Sequence, residues 1–174
     1  MNFGPANQIT TLRALLVAVL VLFIDRSPTP AVAWSVVSIA LVAALLDGVD
    51  GWVARRTRTA TAFGERFDME TDAALTLVLS ILVWHYGKAG PWVLLSGLLR
   101  YAFVAAGWVL PWMQGPLESS VRGKVICVVQ IVALIVALAP TIGPQTSSAV
   151  AAVALLVLCY SFLVDTLRLR RRTQ

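Results

Sequence analysis

The chain has 174 residues, 59% of them apolar and 13% charged, and its mean hydropathy is +0.82. Soluble domains are about 45–50% apolar and about 25% charged, so a soluble globular protein, a disordered chain and a nucleic-acid-binding module are excluded. An integral membrane protein remains, and every charge inside it needs a reason.

Residues 1–10 read as a short lead-in, without the basic start and small-residue cleavage site of a signal peptide. Six apolar segments follow, at 14–24, 31–46, 73–85, 92–112, 125–139 and 147–164. Turn formers separate most of them: Ser27-Pro28-Thr29-Pro30, Gly87 with Gly90-Pro91, Gly115-Pro116, and Pro140 to Pro144. A helix crossing the hydrocarbon needs about 20 residues. Several of these segments are shorter, so their helices must run past the bilayer or line a wet site. The reading is an all-α integral membrane protein of six transmembrane helices, with residues 1–174 as one domain.

Charge placement supports that count. With the N-terminus inside, Arg13, Arg55, Arg56, Arg58, Arg66, Arg122, Lys124, Arg168, Arg170, Arg171 and Arg172 fall on the cytoplasmic side. Only Arg26 and Lys88 fall outside, and Arg100 sits alone in mid-span. Both termini are therefore expected in the cytoplasm, by the positive-inside rule. Trp34, Trp84, Trp92, Trp108 and Trp112 fall near segment ends, as in an aromatic belt. The net charge of +5 reports loops facing anionic lipid rather than nucleic acid.

The acids are concentrated. Six of the nine acidic residues lie between 47 and 72: Asp47, Asp50, Glu65, Asp68, Glu70 and Asp72. Asp47, Asp50, Gly51, Ala54 and Arg55 share one helical face, and Gly64, Asp68 and Asp72 share another. A short link at 56–63 makes the two helices antiparallel neighbours, so the faces can meet. Glu65 and Glu70 point away from that meeting. Four converging carboxylates repel one another and stay ionised only beside cations. All-oxygen ligands without His or Cys suit Mg²⁺, Mn²⁺ or Ca²⁺ rather than zinc. Gly51, Ala54 and Gly64 leave room for a bulky ligand, and Arg55 offers a planar fork for phosphate. The combination points to a nucleotide diphosphate bound through two metals about 4 Å apart.

These residues resemble a family signature. Asp47-x-x-Asp50-Gly51-x-x-Ala54-Arg55, eight residues, Gly64, three residues, Asp68, three residues and Asp72 is similar to the motif of the CDP-alcohol phosphotransferases. Asn7-x-x-Thr10-x-x-Arg13 looks like that family's lead-in. The resemblance implies transfer of a phosphatidyl group from CDP-diacylglycerol to an alcohol, with release of CMP, in phospholipid synthesis. It implies Asp47, Asp50, Asp68 and Asp72 as ligands of Mg²⁺ or Mn²⁺, with Asp72 also the general base. It implies Thr10, Arg13, Gly51, Ala54, Arg55, Thr61 and Gly64 around the CDP part, and a homodimer in the cell (inner) membrane with its site facing the cytoplasm.

Outside the motif, an arginine in mid-bilayer is a functional candidate, so Arg100 is read as an acceptor contact against the alternative of an ion pair. Arg122 and Lys124 begin the fifth helix as membrane anchors or as further acceptor contacts. If the three converge, the acceptor is anionic, such as glycerol 3-phosphate or inositol phosphate. Met69-Glu70-Thr71 before Asp72, and Ala73 after it, leave the acceptor open. Cys127 and Cys159 read as packing residues, and His85 as interfacial. A divalent-cation transporter is the competing class, but it would place its acids at the bilayer midplane rather than beside a cytoplasmic turn.

Overall fold

A computed structural model of the chain describes residues 5–57, 62–109 and 121–172. Among them are six α-helices and no strand: α1 (Pro5–Val21), α2 (Pro30–Thr57), α3 (Ala62–His85), α4 (Leu95–Val109), α5 (Val121–Leu138) and α6 (Pro144–Arg172). A 3₁₀ turn at Pro91–Leu94 leads into α4.

Local chemistry sets the boundaries. α1, α2 and α6 each open on proline, whose fixed φ and missing N–H suit the first helical position. Thr29 precedes α2, and its hydroxyl accepts from the N–H of Val32 at 3.4 Å. Just beyond the end of α3, Gly87 takes a left-handed φ of 66°. There the N–H of Gly87 donates to the Trp84 carbonyl and that of Lys88 to the Val83 carbonyl, both at 3.0 Å, closing the helix end as a Schellman motif.

α3 is the centre of the bundle and packs against α1, α4 and α5. Its Leu75, Leu79, Leu82 and Val83 are fully buried, beside Leu20, Val36, Leu134 and Leu138 of the surrounding helices. Gly97 brings α4 hard against α3, since a Cβ there would lie 2.5 Å from the Cα of Leu77. Buried Gln130 of α5 donates to Ser96 of α4 at 2.9 Å. At the far end, the Tyr86 hydroxyl donates to the Phe23 carbonyl at 3.0 Å. The Lys88 ammonium donates to the Ala139 carbonyl at 3.0 Å and to that of Ile142.

Large apolar side chains also cover the outside of the bundle. Leu22, Val153, Leu156, Tyr160 and Trp108 are all exposed, a surface suited to lipid and not to water. Among the described residues, three stretches are long and apolar enough to cross a membrane: Pro30–Val49, Pro91–Val109 and Pro144–Leu167. Gln8–Val21 is a shorter apolar helix. Six helices were expected as six spans, whereas length and apolarity alone mark three. α3 differs for a plain reason: Glu65, Arg66, Asp68, Glu70 and Asp72 crowd its first half.

Within the link expected at 56–63, α2 continues through Thr57 and α3 begins at Ala62, and residues 58–61 lie outside the described residues. The basic run from Arg168 to Arg172 is the helical end of α6. Cys127 packs against the core, but Cys159 is exposed on the bundle's outer face, so its thiol is not core packing.

Candidate active site

The site begins with a charge in an apolar helix. Thr10, Arg13, Val17 and Leu20 recur at three- and four-residue intervals along α1, and all four are buried. Arg13 is 1% exposed. A guanidinium so placed must be paired, and its partners come from two other helices.

Its Nε donates to the Ala43 carbonyl of α2 at 3.3 Å. One terminal nitrogen, Nη1, meets Asp47 Oδ1 at 3.0 Å and donates to Asp68 Oδ1. The other, Nη2, donates to Asp72 Oδ1. Asp68 and Asp72 are one turn apart on α3 and so share a face. Asp47 lies near the end of the apolar run of α2, which continues eight residues beyond Val49, about 12 Å of helix. On α3, the Thr71 hydroxyl donates to the Phe67 carbonyl and that of Thr76 to the Asp72 carbonyl, both at 2.9 Å. Those hydroxyls are thereby turned back onto the helix.

Carboxylate oxygens of Asp47, Asp68 and Asp72 lie within 4.8 Å of one another, and the three side chains are partly exposed. Among the described residues, three negative charges face the one positive charge of Arg13. That arrangement favours further cations. Magnesium binds oxygen at about 2.0–2.1 Å in an octahedron, so oxygens this close fit one ion after small rotations, or bridge two. The donor set is hard oxygen throughout, which fits Mg²⁺ or Mn²⁺.

The expected meeting of two helix faces takes a different form. Among the described residues, α2 packs mainly against α1 and α5, while α3 packs against α1, α4 and α5. α1 touches both α2 and α3, and Arg13 fills the space between their acids. The sequence pattern ties Arg13 to the nucleotide, whereas the structure sets it among the aspartates. The signal was present as an arginine isolated in an apolar helix.

Other expected site residues are distributed as follows. Thr10 is buried one turn from Arg13, and Gly64 stands near the start of α3, one turn before Asp68. Asp50, Gly51, Ala54 and Arg55 belong to the last turns of α2, but their side chains, with all of Thr61, lie outside the described residues. Arg100 of α4 donates to Glu70 of α3 at 2.7 Å, so the ion pair weighed for it is present. Arg122 of α5 donates to Asp165 of α6, a partner that sequence reasoning did not consider. Lys124 is exposed. The Nε atoms of Arg100 and Arg122 are buried and without a hydrogen-bond partner among the described residues.

Comparison with known proteins agrees with this chemistry. The family model described as CDP-alcohol phosphatidyltransferase matches residues 3–163. A curated protein of Cereibacter sphaeroides named CDP-diacylglycerol–glycerol-3-phosphate 3-phosphatidyltransferase is 31% identical over 111 residues, or 60% of this chain. The match spans 49% of that relative, about half its length.

Proposed function

The chain belongs to the CDP-alcohol phosphatidyltransferase family, and on that premise we propose that it transfers a phosphatidyl group from CDP-diacylglycerol to a small anionic polyol, glycerol 3-phosphate or a close analogue. The observation that carries this reading is the gathering of Asp47, Asp68 and Asp72 within 4.8 Å near the end of the apolar run of α2. The name of the Cereibacter relative supports the donor and the acceptor class.

In this reading the acceptor hydroxyl attacks the phosphatidyl phosphorus and the bond from that phosphorus to the CMP oxygen breaks. Asp72 takes the hydroxyl proton, a contribution typically worth about 10²–10⁴-fold. Asp47, Asp50, Asp68 and Asp72 would hold Mg²⁺ or Mn²⁺, two ions in all. When bound, these supply neutralisation of the diphosphate and of charge on the departing CMP. Gly51, Ala54 and Gly64 leave room for the nucleotide, Arg55 pairs with phosphate, and Thr10 and Thr61 complete the pocket. Arg100 and Arg122, with Lys124, hold the acceptor's phosphate. Among the described residues the Nε atoms of Arg100 and Arg122 have no hydrogen-bond partner, which supports that assignment.

The same reading has residues 1–174 as one domain crossing the cell (inner) membrane six times. Both termini and the site face the cytoplasm, and the chain acts as a homodimer. Confinement of nearly all basic residues to one side supports the orientation. Acids near the inner end of α2's span, rather than at its middle, speak against cation transport.

The test uses purified protein with CDP-diacylglycerol and Mg²⁺ or Mn²⁺, with acceptors supplied one at a time and CMP release followed. Release with glycerol 3-phosphate is expected. Release with inositol phosphate alone would reassign the acceptor. No release with any polyol or polyol phosphate would overturn the reading.

A further inference from the structure

We propose that Arg13 is a positioning residue: the built-in cation that assembles the carboxylate centre, not a contact for the donor nucleotide. Its guanidinium is 1% exposed and engaged on every nitrogen. Nε is fixed on the Ala43 carbonyl, and the two terminal nitrogens reach Asp47, Asp68 and Asp72. A side chain held at both edges of its plane has no freedom to swing towards a phosphate. The planar fork, with five donors and a permanent charge, suits this duty better than an ammonium.

Two consequences follow from the geometry. Arg13 ties α1 to α2 and α3, which explains why acids on α2 and α3 gather across a third helix. It also takes Oδ1 of each carboxylate, which orients the group. The tether stands on these contacts alone. Its effect on metal affinity rests on the function proposed above, because a positive charge a few ångströms from the ligand oxygens opposes a divalent ion. Arg13 thus keeps the acids together and moderates how tightly they bind metal.

Thermal unfolding and Mn²⁺ binding by EPR, on the full chain in detergent, separate the possibilities. In chelator, Arg13→Gln is expected to lower Tm by about 6–12 °C, the scale of breaking a buried ion pair. Mn²⁺ should restore more stability to Arg13→Gln than it adds to wild type, and should bind the variant about tenfold tighter or more. Arg13→Lys, keeping the charge but losing the fork, should recover part of the Tm and near-wild-type Mn²⁺ affinity. kcat should fall in Arg13→Gln while the donor KM holds.

An unchanged Tm and Mn²⁺ affinity with a raised donor KM would overturn the proposal and make Arg13 a nucleotide contact. If Arg13→Gln yields no folded protein, Arg13→Lys decides: a Tm equal to wild type in chelator overturns the tether. Failure of Mn²⁺ to stabilise wild type would instead sink the metal-dependent function and the affinity claim, with the tether still judged by the Tm difference in chelator.

Discussion

Arg100 reaches Glu70 across the contact between α4 and α3, with 2.7 Å between nitrogen and carboxylate oxygen. Glu70 lies between Asp68 and Asp72 in sequence but about 200° from either around the helix, so this pair forms beside the carboxylate centre and not within it. Glu70 is 55% exposed, and such pairs contribute about 0.2–1 kcal/mol. Glu70→Gln should therefore change stability by less than about 1 kcal/mol. Arg100→Gln should raise the acceptor KM about tenfold or more, the scale of a charge-assisted hydrogen bond, and leave Mn²⁺ affinity alone. Initial rates at varied acceptor concentration check this, and an unchanged KM would reduce Arg100 to a helix tie.

Gly97 is the point at which α4 touches the backbone of α3. A Cβ at 2.5 Å from the Leu77 Cα has no flexible neighbour to displace, so one helix must move. Gly97→Ala should cost about 1–3 kcal/mol, the usual penalty of overpacking. Thermal unfolding of the detergent-solubilised variant measures it. Because the shift would carry Arg100 away from Glu70, acceptor KM should rise with the loss of stability.

How far the sequence anticipates this structure depends on the kind of signal. The six helices are readable because apolar runs and the prolines at Pro30 and Pro144 mark them directly. Asp68 and Asp72 are readable as one face because helical spacing is local. The role of α1 is not, since no local pattern states that Arg13 will lie between α2 and α3. The same limit hides the pairing of Arg122 with Asp165, forty-three residues away on another helix. The lone arginine and the lone aspartate in apolar surroundings each announce the need for a partner, but not which one. Only the packing of α1 against two helices, and of α5 against α6, decides that.

Lys88 closes the opposite end of the bundle from the aspartates. Its ammonium accounts for the carbonyls of Ala139 and Ile142, just beyond α5. Asp72 lies thirteen residues before the end of α3 at His85, about 20 Å of helix, and Lys88 lies three residues further on. Lys88→Met keeps the stem and removes the donors, and should cost about 1.5–3 kcal/mol, the value of hydrogen bonds to a charged group. At that distance kcat per folded molecule should be unchanged. Tm together with turnover normalised to folded protein tests both halves, and a large loss of kcat would mean that the two ends are coupled.

Asp72 separates metal binding from proton transfer. It is the least exposed of the three gathered carboxylates and the one on Nη2 of Arg13, while Asp47 and Asp68 share Nη1. Replacing it with asparagine keeps an oxygen able to accept from Arg13 but removes the proton acceptor. Mn²⁺ should still bind through the remaining aspartates, with reduced affinity, and CMP release should fall by about 10²–10⁴, the usual contribution of a general base. Asp47→Asn and Asp68→Asn should instead lose Mn²⁺ affinity first and activity as a result, so that raising Mn²⁺ recovers part of their turnover. The same increase should leave Asp72→Asn inactive. Rescue of Asp72→Asn by Mn²⁺, or wild-type turnover without it, would remove Asp72 as the base and leave it a metal ligand like its neighbours.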